Sequence, residues 1–288
     1  MIVVTGANGN LGRMVVNFLK ERIPVSEIAA SVREPEKAAD LSAAGIDVRQ
    51  ADFRDRASVV RAFTGADKVL IISTSGASDT VSEHRNAVDA AVEAGVKHIF
   101  YTSGTKEKIS HIGRVHEQTE KAILETGLNY TILRNNLYAD VLVREVIGAV
   151  KAGILSIPAD DGKMTTVTRA DCAAAAAAVL ATDGHQNKIY DITGPESLSW
   201  NDIAEIASEI AGKEIAFIPA LTDPFREGLI AKGMPDSRVD FLLEIYKAYS
   251  SGAYDIPSDA VAMLTGKPAT PTRDFILRAA REALAPQS

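Results

Sequence analysis

Two periods of apolar residues alternate along the first half of the chain. Met1–Thr5 is a short apolar run closed by a glycine turn, and Leu11, Met14, Val15, Phe18 and Leu19 then recur at helical spacing on one face. The exchange repeats. Glu27–Val32, Ile46–Gln50, Lys68–Ser73, His98–Thr102 and Tyr130–Arg134 predict further strands. Glu34–Ala43, Ala57–Phe63, Thr80–Ala94 and Val115–Thr126 predict the helices between them, with Gly95 and Gly127 at two of the stops. Strands alternating with helices imply right-handed crossovers and a parallel sheet covered on both faces. The unbroken apolar runs Val69–Ile72 and Ile99–Tyr101 suit its buried middle. The expected architecture is a doubly wound α/β fold of the Rossmann type.

Beyond Arg134 the pattern loosens. Tyr138–Val150 reads as a helix and Ile154–Pro158 as an extended segment. Thr168 with Asp171 makes a capping start for an alanine-rich helix, whose run Ala173–Ala178 suits close packing. Lys188–Thr193 predicts one more strand, and Ser199 with Asp202 opens a further helix. The rest is mostly helical to Leu284. The expected division is a dinucleotide-binding domain over residues 1–150, rejoined by 163–194, with a small helical cap or substrate-binding region within 151–288.

Composition narrows the partners. The 288 residues carry 31 basic and 38 acidic side chains, a net charge of −7, which offers no general attraction to nucleic acid or anionic membrane. A single cysteine, Cys172, excludes an internal disulfide and Cys-rich zinc sites, and no metal site is recognised among the five histidines. No signal peptide is visible, and no apolar stretch reaches the roughly 20 residues a spanning helix needs. A cytoplasmic protein with a small-molecule substrate is expected.

The strongest chemical signal is Thr5-Gly6-Ala7-Asn8-Gly9-Asn10-Leu11-Gly12. It stands between the first strand and the first helix. A pyrophosphate there needs close backbone approach, a tight turn, and the unpaired N–H donors and positive dipole of a helix N-terminus. The spacing is G-x-x-G-x-x-G rather than G-x-G-x-x-G. After the second strand, where NAD binders place an acid against the ribose, stand Arg33 and, one helical turn on, Lys37. A guanidinium forks onto a 2′-phosphate, so NADP(H) is favoured. NAD(H) is the alternative, with Glu34 as ribose ligand, and Arg33 and Lys37 as plain surface cations are a third reading. Asp52 and Phe53, after the third strand, are placed to bracket the adenine.

VTGANGNLG, SVREPEK, QADFRD, LRNNLY and the alanine-rich TRADCAAAAAAVLA together resemble the NmrA-like atypical short-chain dehydrogenase/reductases. Within that family the chain is most similar to the bacterial NAD(P)H:quinone oxidoreductase and triphenylmethane reductase type. The resemblance runs over nearly the whole chain. It implies a cofactor that passes hydride to a flat, electron-poor acceptor. It puts Gly6, Asn8, Gly9, Asn10 and Leu11, with Gly12 behind them, at the pyrophosphate, Arg33 at the 2′-phosphate, and Asp52 and Phe53 at the adenine. It also puts Ser73, Thr74, Ser75 and Gly76 beside the ribose, and Thr102 and Ser103 near the nicotinamide.

Most short-chain dehydrogenases carry Tyr-x-x-x-Lys after the fifth strand; this sequence has none, and His116 and Glu120 stand at those positions. Spacing i, i+4 puts both on one helix face, where they can pair. Alcohol oxidation needs the missing base, whereas a quinone or dye is already electron-poor, and proximity to the nicotinamide does most of the work. His116 is the candidate proton donor, Glu120 its orienting partner, and Ser103 the third candidate catalytic residue. A helix-face histidine that merely bonds Glu120 is the plainer reading. Asn135, Asn136 and Tyr138 follow the sixth strand at the edge where ligands bind, and Phe225 and Tyr246, with Tyr249, are candidates for an aromatic acceptor slot. His98 and His111 read as structural. Two other functions stay open: a non-catalytic NADP(H) sensor acting through a protein partner, and a nucleotide-sugar epimerase. The sequence leaves monomer and homodimer both open.

Overall fold

In the computed structural model, which describes residues 1–74, 79–105 and 110–285, seven parallel strands form one sheet. They are β1 (Ile2–Thr5), β2 (Ile28–Val32), β3 (Asp47–Gln50), β4 (Lys68–Ile72), β5 (His98–Gly104), β6 (Asn129–Asn135) and β7 (Lys188–Ile192), in the order β3-β2-β1-β4-β5-β6-β7. The chain runs outward from β1 to β3, then crosses back to β4 and runs the other way. That reversal leaves a crevice beyond the C-terminal ends of β1 and β4, where doubly wound folds hold nucleotides. The central strands β4 and β5 are apolar and buried because helices cover both faces.

One face packs Val3, Val69, Ile71, Ile99 and Tyr101 against α3 (Arg56–Phe63), α4 (Thr80–Glu93) and α5 (His111–Glu125). The other packs Val4, Leu70, Phe100 and Leu133 against α1 (Asn10–Lys20) and α7 (Arg169–Ala181). The alanines of α7 are small, so α1 and α7 approach closely, and Cys172 of α7 is buried. Thr168 caps α7 through the Asp171 N–H, as its sequence position predicts.

A second core belongs to the cap. It joins α6 (Ala139–Ala152), α8 (Trp200–Ala211) and α12 (Thr272–Leu284) with α9 (Thr222–Ala231) and α10 (Asp236–Ser250) around Trp200, Tyr246, Tyr249 and Tyr254. The short α11 (Ala260–Thr265) returns to α7.

One expected element differs. The helix over Glu34–Ala43 is split into a 3-10 turn at Pro35–Ala38 and a short α2 (Ala39–Ala43), because Ala38 leaves helical geometry at φ −119°. Ile154–Pro158 joins no named strand; Leu155 makes a single bridge to Phe217 in the cap.

Candidate active site

The glycine turn is built as a cradle. Gly6 sits at φ +59°, a conformation side chains disfavour, and its carbonyl accepts from the Gly9 N–H at 2.8 Å. At Gly12 a Cβ would stand 2.3 Å from the Gly6 carbonyl oxygen and 2.9 Å from the Ala7 Cα, so only glycine lets the helix close onto the loop. Helix α1 starts from Gly9 with no side-chain cap and no acidic residue in its first turn. The N–H groups of Asn10, Leu11 and Gly12 thus have no partner within the helix and face the crevice with its positive end, which fits a pyrophosphate.

Asn8 ties this cradle to the turn after β2. Its amide donates to the Glu34 carbonyl at 3.2 Å and accepts from Arg13 at 2.8 Å, while Arg13 also pairs with Asp40 at 2.6 Å. Arg33 is thereby held beside the glycine loop, exposed, with no hydrogen bond to its guanidinium among the described residues. Lys37 is instead paired with Glu34 at 2.6 Å, and both side chains are exposed. That pair answers two expectations at once: Glu34 is turned to Lys37 and Lys37 is partly neutralised. Arg13 was not anticipated; its signal was a cation one residue past the third glycine.

At the adenine end both expected residues are engaged within the protein. Arg54 grips both carboxylate oxygens of Asp52 and holds its pKa at about 2, and the Phe53 ring is buried in the sheet core. Asp52 is thus engaged and Phe53 offers backbone rather than a ring face. Phe53 is fixed there because its carbonyl accepts from Asn86 of α4 at 2.9 Å.

Past β4, the Ser73 N–H donates to Thr102 Oγ1 at 3.0 Å and the Thr74 N–H to His84 Nε2 at 3.0 Å. Ser75 and Gly76 lie outside the described residues. At the end of β5 His116 and Glu120 take different hydrogen-bond partners, while His116 still acts on the Glu120 charge through space. Glu120 takes Arg134 of β6 in a fork, at 2.9 and 2.7 Å, and accepts from Ser103 Oγ at 2.7 Å. Both charged side chains are nearly buried, and the pair staples α5 to β5 and β6. Arg134 wins because a guanidinium matches both carboxylate oxygens where a ring nitrogen matches one. Ser103 Oγ, next to the last residue of β5, and Arg134 are thus both committed to the Glu120 carboxylate.

His116 turns to Tyr101, whose Oη lies 2.7 Å from Nδ1. Its other edge lies along Gly104: a Cβ there would be 2.8 Å from His116 Cδ2 and 3.1 Å from Nε2. Glycine at the last residue of β5 is what admits the ring. Gly104 pairs in register with Asn135 at the end of β6, and the buried Asn135 Oδ1 has no hydrogen-bond partner among the described residues. An orphaned acceptor at this edge fits a carboxamide donor from a bound cofactor.

Other expected acceptor contacts move inward. Asn136 is 2 % exposed and spends its amide on Thr165 and the Tyr254 carbonyl, joining β6 to the cap. Tyr246 is 3 % exposed, packs edge-on to Trp200 and bonds Glu145, a half-buried carboxyl whose pKa burial raises. Phe225 stands edge-on against Tyr246 at 5.9 Å, half-buried. These are cap-core residues because aromatic edges bury best against one another. Tyr138 keeps a partly accessible ring under Arg169, 4.5 Å from its centroid. His98, stacked on Phe100 and bonded to Thr131, is structural. His84 was read past in the sequence; its signal was a polar residue on the apolar face shared by Thr80, Ala87, Val88 and Ala91. Among the described residues there is no cluster of metal ligands and no helix long and apolar enough to cross a membrane.

The NmrA-like family pattern matches residues 1–265, and the chain belongs to that family. It is 37% identical over 272 residues to quinone oxidoreductase 2 of Escherichia coli, covering 94% of this chain and 95% of that one. To the NAD(P)H azoreductase of Xenophilus azovorans it is 29% identical, over 96% of each chain. Among solved structures, the E. coli NADPH-dependent quinone oxidoreductase complexed with NADPH superposes with a TM-score of 0.92 at 35% identity, covering 97% of this chain and 99% of that one. The Citrobacter triphenylmethane reductase complexed with NADP(H) gives 0.91 at 36%, covering 97% and 100%.

Proposed function

We propose that the protein is an NADPH-dependent reductase that delivers hydride to a quinone or a similarly flat, electron-poor aromatic. The observation that carries this is the C-terminal edge of β5. There the position of the dehydrogenase lysine holds Glu120, and the nearly buried cation beside it, Arg134, is committed to that carboxylate rather than to a base for alcohol oxidation. What meets the edge is the His116 imidazole, seated against Gly104. The relatives' names agree in direction: a quinone, an azo compound and triphenylmethane dyes are all acceptors of electrons.

Asn10, Leu11 and Gly12 would receive the pyrophosphate, Arg33 the 2′-phosphate, and Asn135 Oδ1 the carboxamide. When bound, the nicotinamide supplies the hydride. The chain contributes by holding the acceptor flat at the β5–β6 edge and by placing the His116 imidazole where charge gathers. The test is NADPH oxidation followed at 340 nm with a panel of simple quinones, azo dyes and triphenylmethane dyes, alongside calorimetric binding of NADPH. Turnover with any flat acceptor supports the reading. Tight NADPH binding with no turnover refutes it and points to a sensor.

A further inference from the structure

At the end of β6 and the start of α6, two side chains present hydrogen-bonding groups of opposite polarity that the described residues leave open. Asn135, the last residue of β6, is 7% exposed, and its Nδ2 donates to Tyr138 Oη at 3.5 Å. Tyr138 Oη therefore accepts on that side and keeps its own hydrogen, since an amide NH2 cannot receive it. Among the described residues that hydrogen has no acceptor, and Asn135 Oδ1 has no donor. Burial raises the Tyr138 pKa, so the phenol stays protonated at neutral pH.

Both groups are held in place by their neighbours. The Asn135 backbone pairs in register with Gly104 of β5 on one side and Ile192 of β7 on the other. Tyr138 bridges Val167 through its backbone, and its ring lies under the Arg169 guanidinium, 4.5 Å from the centroid. Asp140 pairs with that guanidinium at 3.2 Å and accepts from the Arg169 backbone N–H at 3.0 Å. The ring is thus gripped by its face, and its hydroxyl end stays at Asn135.

We infer that Asn135 and Tyr138 form a two-point clamp for a primary carboxamide, Asn135 Oδ1 accepting from its NH2 and the Tyr138 hydroxyl donating to its carbonyl oxygen. A primary amide carries one donor and one acceptor side by side, and the clamp offers the complement. A carboxylate brings only acceptors and a ketone a single one, so neither satisfies both groups. The inference rests on the reading of this edge as the nicotinamide end of the cofactor site, and it adds Tyr138 as a positioning residue. One bond leaves a ring free to turn. Two fix its rotation, as presenting one face to a flat acceptor requires.

The experiment is calorimetric titration of the full chain and two variants with three oxidised cofactors. These are NADP⁺, its 3-acetylpyridine analogue, in which methyl replaces the amide NH2, and its thionicotinamide analogue, whose sulfur accepts more weakly than oxygen. The parent protein should bind each analogue about threefold to tenfold more weakly than NADP⁺, the range one hydrogen bond gives. Asn135→Leu should bind NADP⁺ and the acetyl analogue equally. Tyr138→Phe should bind NADP⁺ and the thio analogue equally. A merely structural role would weaken all three cofactors together and leave both preferences in place, and that result would overturn the clamp. Equal affinity of the parent for NADP⁺ and the acetyl analogue would overturn it as well, even if neither variant folds. Lost quinone turnover in Tyr138→Phe with the thio preference intact would move the phenol to the acceptor and also overturn it. A parent protein that shows both preferences but reduces no acceptor supports the clamp while sinking the reductase reading, so the two failures are separable.

Discussion

Glu120→Ala separates a structural staple from a catalytic partner. The carboxylate receives two bonds from Arg134 and one from Ser103, all between 2.7 and 2.9 Å, with only 13% and 14% of the Arg134 and Glu120 side chains exposed. Removing one member of such a pair leaves a guanidinium buried without its counter-charge, a loss of about 3–5 kcal/mol. Asp191 lies near enough to act on Arg134, so the lower end, about 3 kcal/mol, is expected. With a urea m-value of about 3 kcal/mol per M, the unfolding midpoint should drop by about 1 M. In an Arg134→Met background the same substitution should cost far less, because the stranded charge is gone. Quinone turnover, measured well below the midpoint, should change little, since Glu120 does not touch His116 through a hydrogen bond. An unchanged urea midpoint would refute the staple. A collapse of kcat at an unchanged midpoint would restore Glu120 as a catalytic partner. The sign with pH follows from the same pair. Arg134 and Ser103 together outweigh burial and hold the Glu120 pKa below 4.5, so its stabilisation is complete above that value and is lost as pH falls through the folded pKa.

Three further outcomes test the cofactor site and the edge. Arg33→Ala should weaken NADPH binding about tenfold or more and leave NADH nearly unchanged; equal losses in calorimetry would remove Arg33 from the 2′-phosphate. Gly12→Ala must displace backbone atoms rather than a side chain, so it should abolish measurable binding of either dinucleotide, and retained affinity would contradict the closeness of the cradle. His116→Ala should lower kcat about tenfold to a hundredfold with NADPH affinity intact, and unchanged turnover would leave solvent alone at the acceptor oxygen.

The alternation of periods in residues 1–134 was enough to specify a parallel sheet with helices on both faces, because only one layered arrangement buries strands apolar on both sides. The glycine turn was legible for a local reason: strand, turn and helix N-terminus are neighbours in sequence, and the anion site they form needs nothing from elsewhere. The same holds for Thr168 capping α7 and Ser199 capping α8. His116 and Glu120 of α5 stood out because they occupy the positions where most short-chain dehydrogenases carry Tyr and Lys, and their i, i+4 spacing put them on one face. Their partners were not. Helical spacing says which residues share a face, but not that β6 would bring Arg134 against that face, or that β5 would bring Tyr101 between His116 and His84. Asn136 and Tyr246 sat at plausible places along the chain, yet the cap folded over them and claimed their polar atoms. Side chains choose partners by distance in space, and residues 14 to 118 apart in sequence became neighbours only when the sheet and the cap closed.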